Sequence, residues 1–443
     1  MSISKVGSIF CENFLEYIHF FNDIECISID FVKPFYKLMK EATELCDVYT
    51  NQENMRTKKY IKETITHLPD NEFDKRKYLN RYPLIDSKMY TPDNINIYVK
   101  RKTNYIHKYS FSIENKEYNL EFFVVEGEYR NIETKMMRIL KHTIKTIYVL
   151  LKLLDDNLKM KSLHIYIALT KFKKVIPREK SLTLSKDHIN TGLTYACQVN
   201  GRIFLYREEE ICKVLIHEIM HAKCVDFANV SINEQVKKQL QSMFYVNSDF
   251  SITESYTEFW ANILNTLFVS YKIDNTSLDV FYENYCALQT LETMFSIYQL
   301  VKILHSMDLT YNDIIYKKKK SFKRYGEDTN VFAYHILKSV WLFSQKRCVS
   351  WMYKNNISTI FSGKNINYIK DLVNETRENY YKNPKFLQFI KKYEKYFARY
   401  DKIKRNNQTK EIRMIGNMKY KESVSLRRDD LLNNSLRMTI LEV

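Results

Sequence analysis

The sequence predicts an α+β protein that is predominantly helical and contains a small mixed β-sheet. Three observations lead to this fold class. The interval between Gly201 and Gly326 contains no glycine or proline, the strongest helix breakers, so it is expected to be rich in helix. Apolar residues recur at helical spacing over residues 133–156. Alternating or continuous apolar runs, which are typical of strands, occur between residues 95 and 206.

Residues 1–130 are predicted to form a helical region followed by a small antiparallel β module. Apolar residues at helical spacing are followed by a charged stretch with three prolines and then by alternating segments. The predicted elements are helices over residues 8–21 and 35–46 and strands over residues 96–100, 109–113 and 118–125. The strands form either a separate module or one face of the next region.

Residues 131–345 are predicted to form a second region, which begins with the amphipathic helix over residues 133–156. An apolar run at residues 162–169 follows, and its nearly continuous hydrophobicity is typical of a central strand covered on both faces. The next predicted elements are a strand over residues 189–197, a hairpin turn at Asn200-Gly201 and a strand over residues 202–206. Residues 346–443 are expected to form a C-terminal helical region with a basic tail.

The clearest chemical signal is an HExxH motif, His217-Glu218-x-x-His221, inside a helical pattern. One helical turn separates the two histidines, so both imidazoles can bind one metal ion, and zinc suits such ligands. Glu218 is then placed to act as a general base toward metal-activated water. Such a motif arises by chance in roughly one chain in a hundred of this composition. The preceding strand and the acidic run at residues 208–210, expected in the first helical turn, favour a metal site over core histidines.

A catalytic zinc needs a third protein ligand, which Glu254 or Glu258 can supply. These two acids lie four residues apart on a predicted helix and therefore face the same way. Ser251-x-x-Glu254 is also the pattern of a capping box, in which Glu254 bonds only the N-terminus of its own helix. The residues alone leave these alternatives open.

HExxH followed on a later helix by ExxxD/E, here Glu254 and Glu258 with Ala261 three residues on, is similar to the motif pair of gluzincin metallopeptidases. The resemblance implies a zincin-like catalytic domain over residues 131–345 with one Zn²⁺ per chain. It implies that Glu254 is the third ligand beside both histidines. It also implies that Glu258, where aspartate is more usual, orients His217.

The other zincin classes fit less well. A metzincin requires a glycine and a histidine where this chain has Cys224 and Phe227. Cys224 lies one turn beyond His221, and we expect it to be a packed free cysteine and not a ligand.

The whole arrangement, including Asn190-Thr-Gly-Leu-Thr before the motif and Glu254-Ser-Tyr-Thr-Glu-Phe-Trp-Ala after it, resembles uncharacterised zinc metallopeptidases of large DNA viruses, particularly of insects. The resemblance covers approximately residues 130–345. It implies an intracellular protease for peptide or protein substrates, located in the host cytoplasm or in the virion if the chain is viral. In zincins an edge strand pairs with the extended substrate. By position, the candidates for that strand are Gly192, Leu193, Thr194 and Tyr195.

Peptide hydrolysis also needs a hydrogen-bond donor to the oxygen that becomes negatively charged. In enzymes of this kind, a tyrosine or histidine beyond the third ligand commonly fills this role. Tyr334 and His335, which precede an apolar helical face, are the candidates here. A position in the core is the alternative for His335.

The composition restricts the possible partners. The net charge of +17 would suggest nucleic acid. The chain is also rich in Lys, Asn, Ile and Tyr with only 7 Gly and 6 Pro, so a basic surface follows from a general compositional skew. The eight cysteines lack paired spacing and predict free thiols in a reducing compartment. Without a signal peptide or a membrane-spanning run, a soluble intracellular protein is expected.

Two functions from other classes remain as alternatives. One is a catalytically inactive zincin-fold scaffold that binds a host or viral protein. The other is a basic nucleic-acid-binding protein in which HExxH occurs by chance.

Overall fold

The computed structural model describes residues 3–16, 24–85, 87–127, 131–153, 160–177, 183–226, 234–355, 366–413 and 429–442. The architecture is α+β, 62% helical with a small mixed sheet of six strands, which confirms the predicted class. None of the described helices combines the length and the apolar character needed to cross a lipid bilayer.

The elements of the first 130 residues are five helices and three strands within the described ranges. They are α1 (Lys5–Phe14), α2 (Ile29–Thr50), α3 (Gln52–Arg56), β1 (Ile61–His67), α4 (Glu72–Leu79), α5 (Asp93–Lys102), β2 (Tyr105–Ile113) and β3 (Lys116–Val124).

The next elements lead to the HExxH helix and beyond it. They are α6 (Ile132–Leu153), β4 (Ser162–Ile167), α7 (Lys186–Ile189), β5 (Gly192–Thr194), β6 (Asn200–Leu205), α8 (Ile211–Ala222), α9 (Glu234–Met243), α10 (Ile252–Ile273), α11 (Leu278–Ser306), α12 (Tyr311–Ile315) and α13 (Lys319–Arg324).

The remaining elements are all helical. They are a π-helical segment (Phe332–Leu337), α14 (Lys338–Phe343), α15 (Gln345–Asn355), α16 (Ile366–Glu375), a second π-helical segment (Thr376–Tyr380) and α17 (Pro384–Arg413).

The sheet has the strand order β1-β2-β3-β4-β6-β5. Strands β3, β4 and β6 are mutually parallel, while β1–β2, β2–β3 and β5–β6 pair in antiparallel fashion. Parallel neighbours need crossover connections, which here include α6 and α7. The predicted β module is therefore continuous with the strands that precede the HExxH helix, and β5 forms one edge of the sheet.

Several element predictions require correction. Residues 96–100 are not a strand but lie in α5, because Ile95 and Val99 are buried one helical turn apart. Strand β1 was missed because Ile61 is the only buried residue in it. The turn predicted at Asn200-Gly201 lies earlier, since both residues belong to β6. Residues 154–156 of the predicted helix over 133–156, and residues 17–21 of that over 8–21, lie outside the described residues.

Both faces of the sheet are covered by buried side chains. The smaller cluster joins Ile106, Phe123 and Phe204 of the strands to Leu79 of α4 and Val99 of α5. The larger cluster on the other face contains the apolar residues of α6, α8, α10 and α11.

The larger cluster contains residues from all three predicted regions. Phe14 of α1, for example, packs against Tyr298 of α11 and Tyr393 of α17, with ring centroids 5.3 Å apart in both pairs. The predicted regions therefore share a core, while their boundaries at residues 130 and 345 stay predictions.

Residues 429–442, which we call the C-terminal segment, run through this core instead of forming a solvated tail. Val175 and Ser435 form one β-bridge, and Ile3 and Leu441 form another. The buried carboxylate of Glu292 accepts hydrogen bonds from the backbone N–H groups of Ile440 at 2.9 Å and Leu441 at 3.2 Å. The end of the described chain is thus a structural part of the core.

Candidate metal centre

The HExxH motif lies on α8, whose twelve residues are all buried. The helix packs against α6, α10, β5 and β6. Its N-cap is Glu210, and the first helical turn contains no acid, so the expectation that residues 208–210 charge that turn was wrong. The Glu210 carboxylate instead pairs with Lys174 and accepts the backbone N–H groups of Met438 and Thr439.

Three side chains converge at one point between α8 and α10. The Nε2 atoms of His217 and His221 are 3.0 Å apart, and Oε2 of Glu254 lies 3.1 Å from the first and 3.2 Å from the second. Within the described part of the chain, these residues form the one group of three whose ligand atoms can hold a metal ion. Two imidazoles one turn apart and a carboxylate from a second helix are brought together by helix packing.

The donor set fits a divalent transition metal. Donor atoms about 2.0–2.1 Å from a shared tetrahedral ion lie about 3.3 Å from one another. The observed separations of 3.0–3.2 Å need only small outward shifts to reach that value. Imidazole nitrogen with carboxylate oxygen is a combination that zinc binds readily.

The position of Glu254 bears on the choice between ligand and capping box. Ser251 caps α10 by accepting the backbone N–H of Glu254, with an N–O distance of 3.4 Å. The carboxylate of Glu254 is directed at the two imidazoles and also accepts a hydrogen bond from the Tyr334 hydroxyl at 3.0 Å. One residue therefore takes part in the cap through its backbone and in the cluster through its side chain.

The second acid of α10 lies on the other side of His217. Oε2 of Glu258 is 3.1 Å from Nδ1 of His217, and its second oxygen pairs with Lys213 and lies 3.5 Å from Nζ of Lys338. Burial opposes ionisation of Glu258, but the two ammonium groups outweigh it and hold the pKa of this carboxyl well below its usual range. Glu258 is thus an anion placed to orient the His217 ring.

Sequence reasoning missed the corresponding partner of His221. Nδ1 of His221 is hydrogen-bonded to the carboxylate of Asp226, which is 4% exposed and lies beyond the turn that ends α8. A metal-binding histidine usually donates its other N–H to a carboxylate, so an acid soon after His221 was the available signal. Each imidazole is therefore held by its own carboxylate.

The histidines and carboxylates of the cluster stabilise one another's charged forms. Burial disfavours a charged imidazole, yet Glu254 and Asp226 together raise the pKa of His221 well above its usual value. Burial likewise disfavours ionised Glu254, but the nearby histidines hold the pKa of this carboxyl well below its usual range. Protons and a metal cation therefore compete for the same nitrogen atoms, so metal binding releases protons.

Glu218 lies next to the cluster and close to the edge strand. Its Oε1 lies 3.3 Å from the point that a Cβ at residue 192 would occupy, and that Cβ would also lie 2.6 Å from Cδ2 of Leu205. Glycine at position 192 is therefore needed for the close approach of β5 to β6 and to Glu218. Burial raises the pKa of the Glu218 carboxyl, although His217 and His221 act in the opposite direction.

The predicted edge strand is shorter than expected, because β5 spans Gly192–Thr194 where residues 189–197 were predicted. Leu193 is buried in the smaller core cluster, and Oγ1 of Thr194 donates to the Arg202 carbonyl at 2.7 Å. Tyr195 lies just past the strand and is half exposed. Strand β5 has one pairing neighbour within the described sheet and forms its edge.

The two candidate oxyanion donors differ in position. Tyr334 lies in the first π-helical segment with its hydroxyl at the cluster, whereas His335 is fully buried. Neither ring nitrogen of His335 has a hydrogen-bond partner among the described residues. Burial lowers the pKa of His335 well below its usual value, so this ring is a neutral core side chain. The structure brings Tyr334 to the cluster and leaves His335 outside it.

The prediction that all cysteines are free thiols was wrong for two of them. Cys197, after β5, and Cys224, after α8, form a disulfide across 27 residues. Their backbone N–H groups both donate to the carbonyl of His221, at 3.2 and 3.0 Å. Six other cysteines of the described chain are free. The bridge could not be inferred from spacing, because long-range contacts bring its two ends together.

No protein-family model, curated protein or solved structure matches the chain. The assignment of a function therefore depends on the residues and the geometry of this cluster.

Proposed function

We propose that this protein is a zinc-dependent peptidase of gluzincin type with a zincin-like catalytic region. The observation that carries the proposal is the convergence of His217 Nε2, His221 Nε2 and Glu254 Oε2 within 3.0–3.2 Å, with Glu218 adjacent on the same helix. These three residues would hold one Zn²⁺ per chain. The zinc ion would supply Lewis acidity, which lowers the pKa of water to about 7 and polarises a carbonyl.

In this proposal the protein side chains position the reactants and move the proton. A carboxylate oxygen of Glu218 takes a proton from the attacking water and passes it to the nitrogen of the leaving amine. The Tyr334 hydroxyl donates a hydrogen bond to the carbonyl oxygen as negative charge develops on it. Glu258 and Asp226 keep the two imidazoles oriented, and the free side of β5 pairs with the substrate backbone.

The experiment that tests this proposal combines metal content with turnover. Zinc per chain is measured for the wild type, His217→Ala and Glu254→Gln, with His67→Ala on the exposed side of β1 as the control. We expect one zinc in the wild type and the control, and none in the two ligand variants. Cleavage of a mixed peptide library is then compared between the wild type and Glu218→Gln, with exposed Glu283→Gln as the control.

Glu218→Gln should retain zinc and lose a factor of about 100 to 10,000 in kcat, because a positioned general base contributes roughly that much. Stoichiometric zinc without cleavage by the wild type would identify a binding scaffold instead. A protein without zinc that binds DNA or RNA in a salt-sensitive manner would overturn the proposal altogether.

A further inference from the structure

A cavity opens beside the cluster on the side of Glu218. Its walls include Val214, His217 and Glu218 of α8, Gly192 of β5, Tyr334 and Met438 of the C-terminal segment. Among the described residues that line it, Glu218 is included and His221 is not. The cavity is therefore displaced from the cluster toward the general base.

This displacement indicates which part of a peptide would enter the cavity. Under the proposed function, on which this inference rests, Glu218 passes its proton to the nitrogen of the leaving amine. That nitrogen must then lie within hydrogen-bond distance of the Glu218 carboxylate. The residue that supplies the amine carries its side chain on the carbon bonded to that nitrogen. The cavity beside Glu218 is therefore the space open to this side chain.

Met438 forms a fixed part of the cavity wall. Its backbone N–H donates to the buried Glu210 carboxylate at 2.5 Å, and its carbonyl accepts from Nζ of Lys338 at 3.4 Å. Its sulfur lies 3.8 Å from Nζ of Lys213, and the residue is 6% exposed. Two buried charged groups thus hold the backbone on either side of the Met438 side chain.

The cavity is small, and the lysines in its described wall are paired with carboxylates. Two lysines contribute to its wall, but Lys174 pairs with Glu210 and Lys213 pairs with Glu258, so the described wall presents no uncompensated lysine to the space. The cavity has a volume of about 30 Å³, room for about two water molecules. A methyl or hydroxymethyl group fills this space, whereas the side chain of leucine or phenylalanine would extend beyond it.

We propose that Met438 is a specificity-determining residue that restricts the site to peptides with a small residue, glycine, alanine or serine, on the amine side of the cleaved bond. The C-terminal segment thereby contributes to substrate selection although it lies more than 200 residues beyond the HExxH motif in the sequence.

The test uses binding as well as turnover. N-phosphoryl-alanine amide and N-phosphoryl-leucine amide are titrated into the zinc-loaded protein in a calorimeter. The phosphoryl group of each compound stands for the carbon under attack, and its nitrogen stands for the leaving amine. We expect the wild type to bind the alanine compound at least about tenfold more tightly, since misfit in an apolar pocket changes selectivity by that order. In Met438→Ala the preference should disappear or reverse.

Matched variants distinguish an effect of cavity size from a general loss of stability or structure. Met438→Leu conserves volume and should keep the alanine preference, as should Met352→Ala, which removes a fully buried methionine outside the cavity wall. Peptides that differ only in the amine-side residue should give the same order in kcat/KM.

A wild type that binds the leucine compound as tightly as the alanine compound, or binds neither, overturns the inference whether or not Met438→Ala folds. An unchanged preference in folded Met438→Ala does so as well. Alanine preference in calorimetry without any peptide cleavage leaves the cavity assignment intact and contradicts the peptidase proposal. Cleavage of peptides that carry a large residue on the amine side would support the peptidase proposal and contradict the cavity assignment.

Discussion

Each imidazole of the cluster is held from two sides by carboxylates. Glu254 lies between the two Nε2 atoms, Asp226 is hydrogen-bonded to Nδ1 of His221, and Oε2 of Glu258 lies 3.1 Å from Nδ1 of His217. In the proposed metal site, the outer carboxylates would fix the ring orientation and make the inner nitrogens stronger ligands. Their loss is therefore expected to weaken metal binding without removing a ligand.

Asp226→Asn should lower zinc affinity by a factor of about 10 to 100, the usual effect of losing a carboxylate behind a histidine ligand. The amide conserves size but removes the charge that holds Nδ1 of His221. The dissociation constant is measured by competition with a chromophoric chelator, and exposed Asp371→Asn is the control. Unchanged affinity in Asp226→Asn would contradict the positioning role.

A second residue-scale prediction concerns Glu327, just before the π-helical segment that carries Tyr334. One oxygen of its half-buried carboxyl accepts hydrogen bonds from the Tyr325 hydroxyl at 2.9 Å and the Phe332 N–H at 2.7 Å. Burial raises the pKa of Glu327 to about 7, above the value of about 4.3 expected in the unfolded chain. The folded state therefore retains a proton that the unfolded state loses between these two pH values.

Because the folded-state pKa is the higher one, this group makes the protein less stable as pH rises from about 4.5 to 7, with no further change above that range. Glu327→Gln keeps an acceptor oxygen and should remove about 2–3 kcal/mol of this decline. The free energy of unfolding in urea is measured at pH 5 and pH 8, with Glu283→Gln as the exposed control. Parallel pH profiles of the free energy of unfolding for wild type and Glu327→Gln would contradict a raised pKa of Glu327 in the folded state.

At the scale of elements, the disulfide joins the end of β5 to the end of α8. It closes a loop of 27 residues, which corresponds to about 3–4 kcal/mol of lost unfolded-state entropy. The double variant Cys197→Ser/Cys224→Ser should lose approximately that stability in chemical unfolding. The wild type should fall to the same value in the presence of a dithiol reductant, and the double variant should not respond to it. A reductant effect of equal size on both proteins would point to other cysteines.

The HExxH helix and the helix of Glu254 could be predicted from sequence because their signals are local. His217, Glu218 and His221 lie within five residues, and the absence of glycine and proline around them leaves little alternative to helix. The strands over residues 109–113 and 118–125 could also be predicted, because the side chains of a strand alternate between its two faces.

The remaining features depend on contacts between distant parts of the chain. Nothing near Met438 indicates that its backbone binds Glu210, and nothing near Cys197 indicates Cys224. Similarly, His335 has the residue type of a catalytic donor, and only the packing of its helix shows that it faces the core. Such positions are decided by tertiary packing, which a single sequence does not encode locally.

At the scale of the whole molecule, the C-terminal segment joins the core that surrounds the cluster. Its backbone N–H groups satisfy the buried carboxylates of Glu210 and Glu292, and its carbonyl groups accept from Lys302. Removing residues 429–442 would take these hydrogen-bond partners away from buried charged groups, which is strongly destabilising.

A chain ending at residue 428 should therefore lose cooperative unfolding and stoichiometric zinc binding. Circular dichroism during thermal unfolding, together with zinc content, measures both properties. Addition of a synthetic peptide of residues 429–442 should restore zinc binding in a concentration-dependent manner, while a peptide of the same composition in scrambled order should not. A truncated chain that unfolds cooperatively and keeps its zinc would contradict this role.

The placement of Met438 and Thr439 against the N-cap of α8 also sets the order of events during synthesis. The ribosome produces the HExxH helix first and reaches these residues only about 200 positions later, which takes roughly 10 to 40 s at usual elongation rates. From residue 254 onward the nascent chain contains His217, His221 and Glu254 without the segment that completes the core around them. The core around Glu210 and Glu292 is therefore completed only after translation reaches this segment.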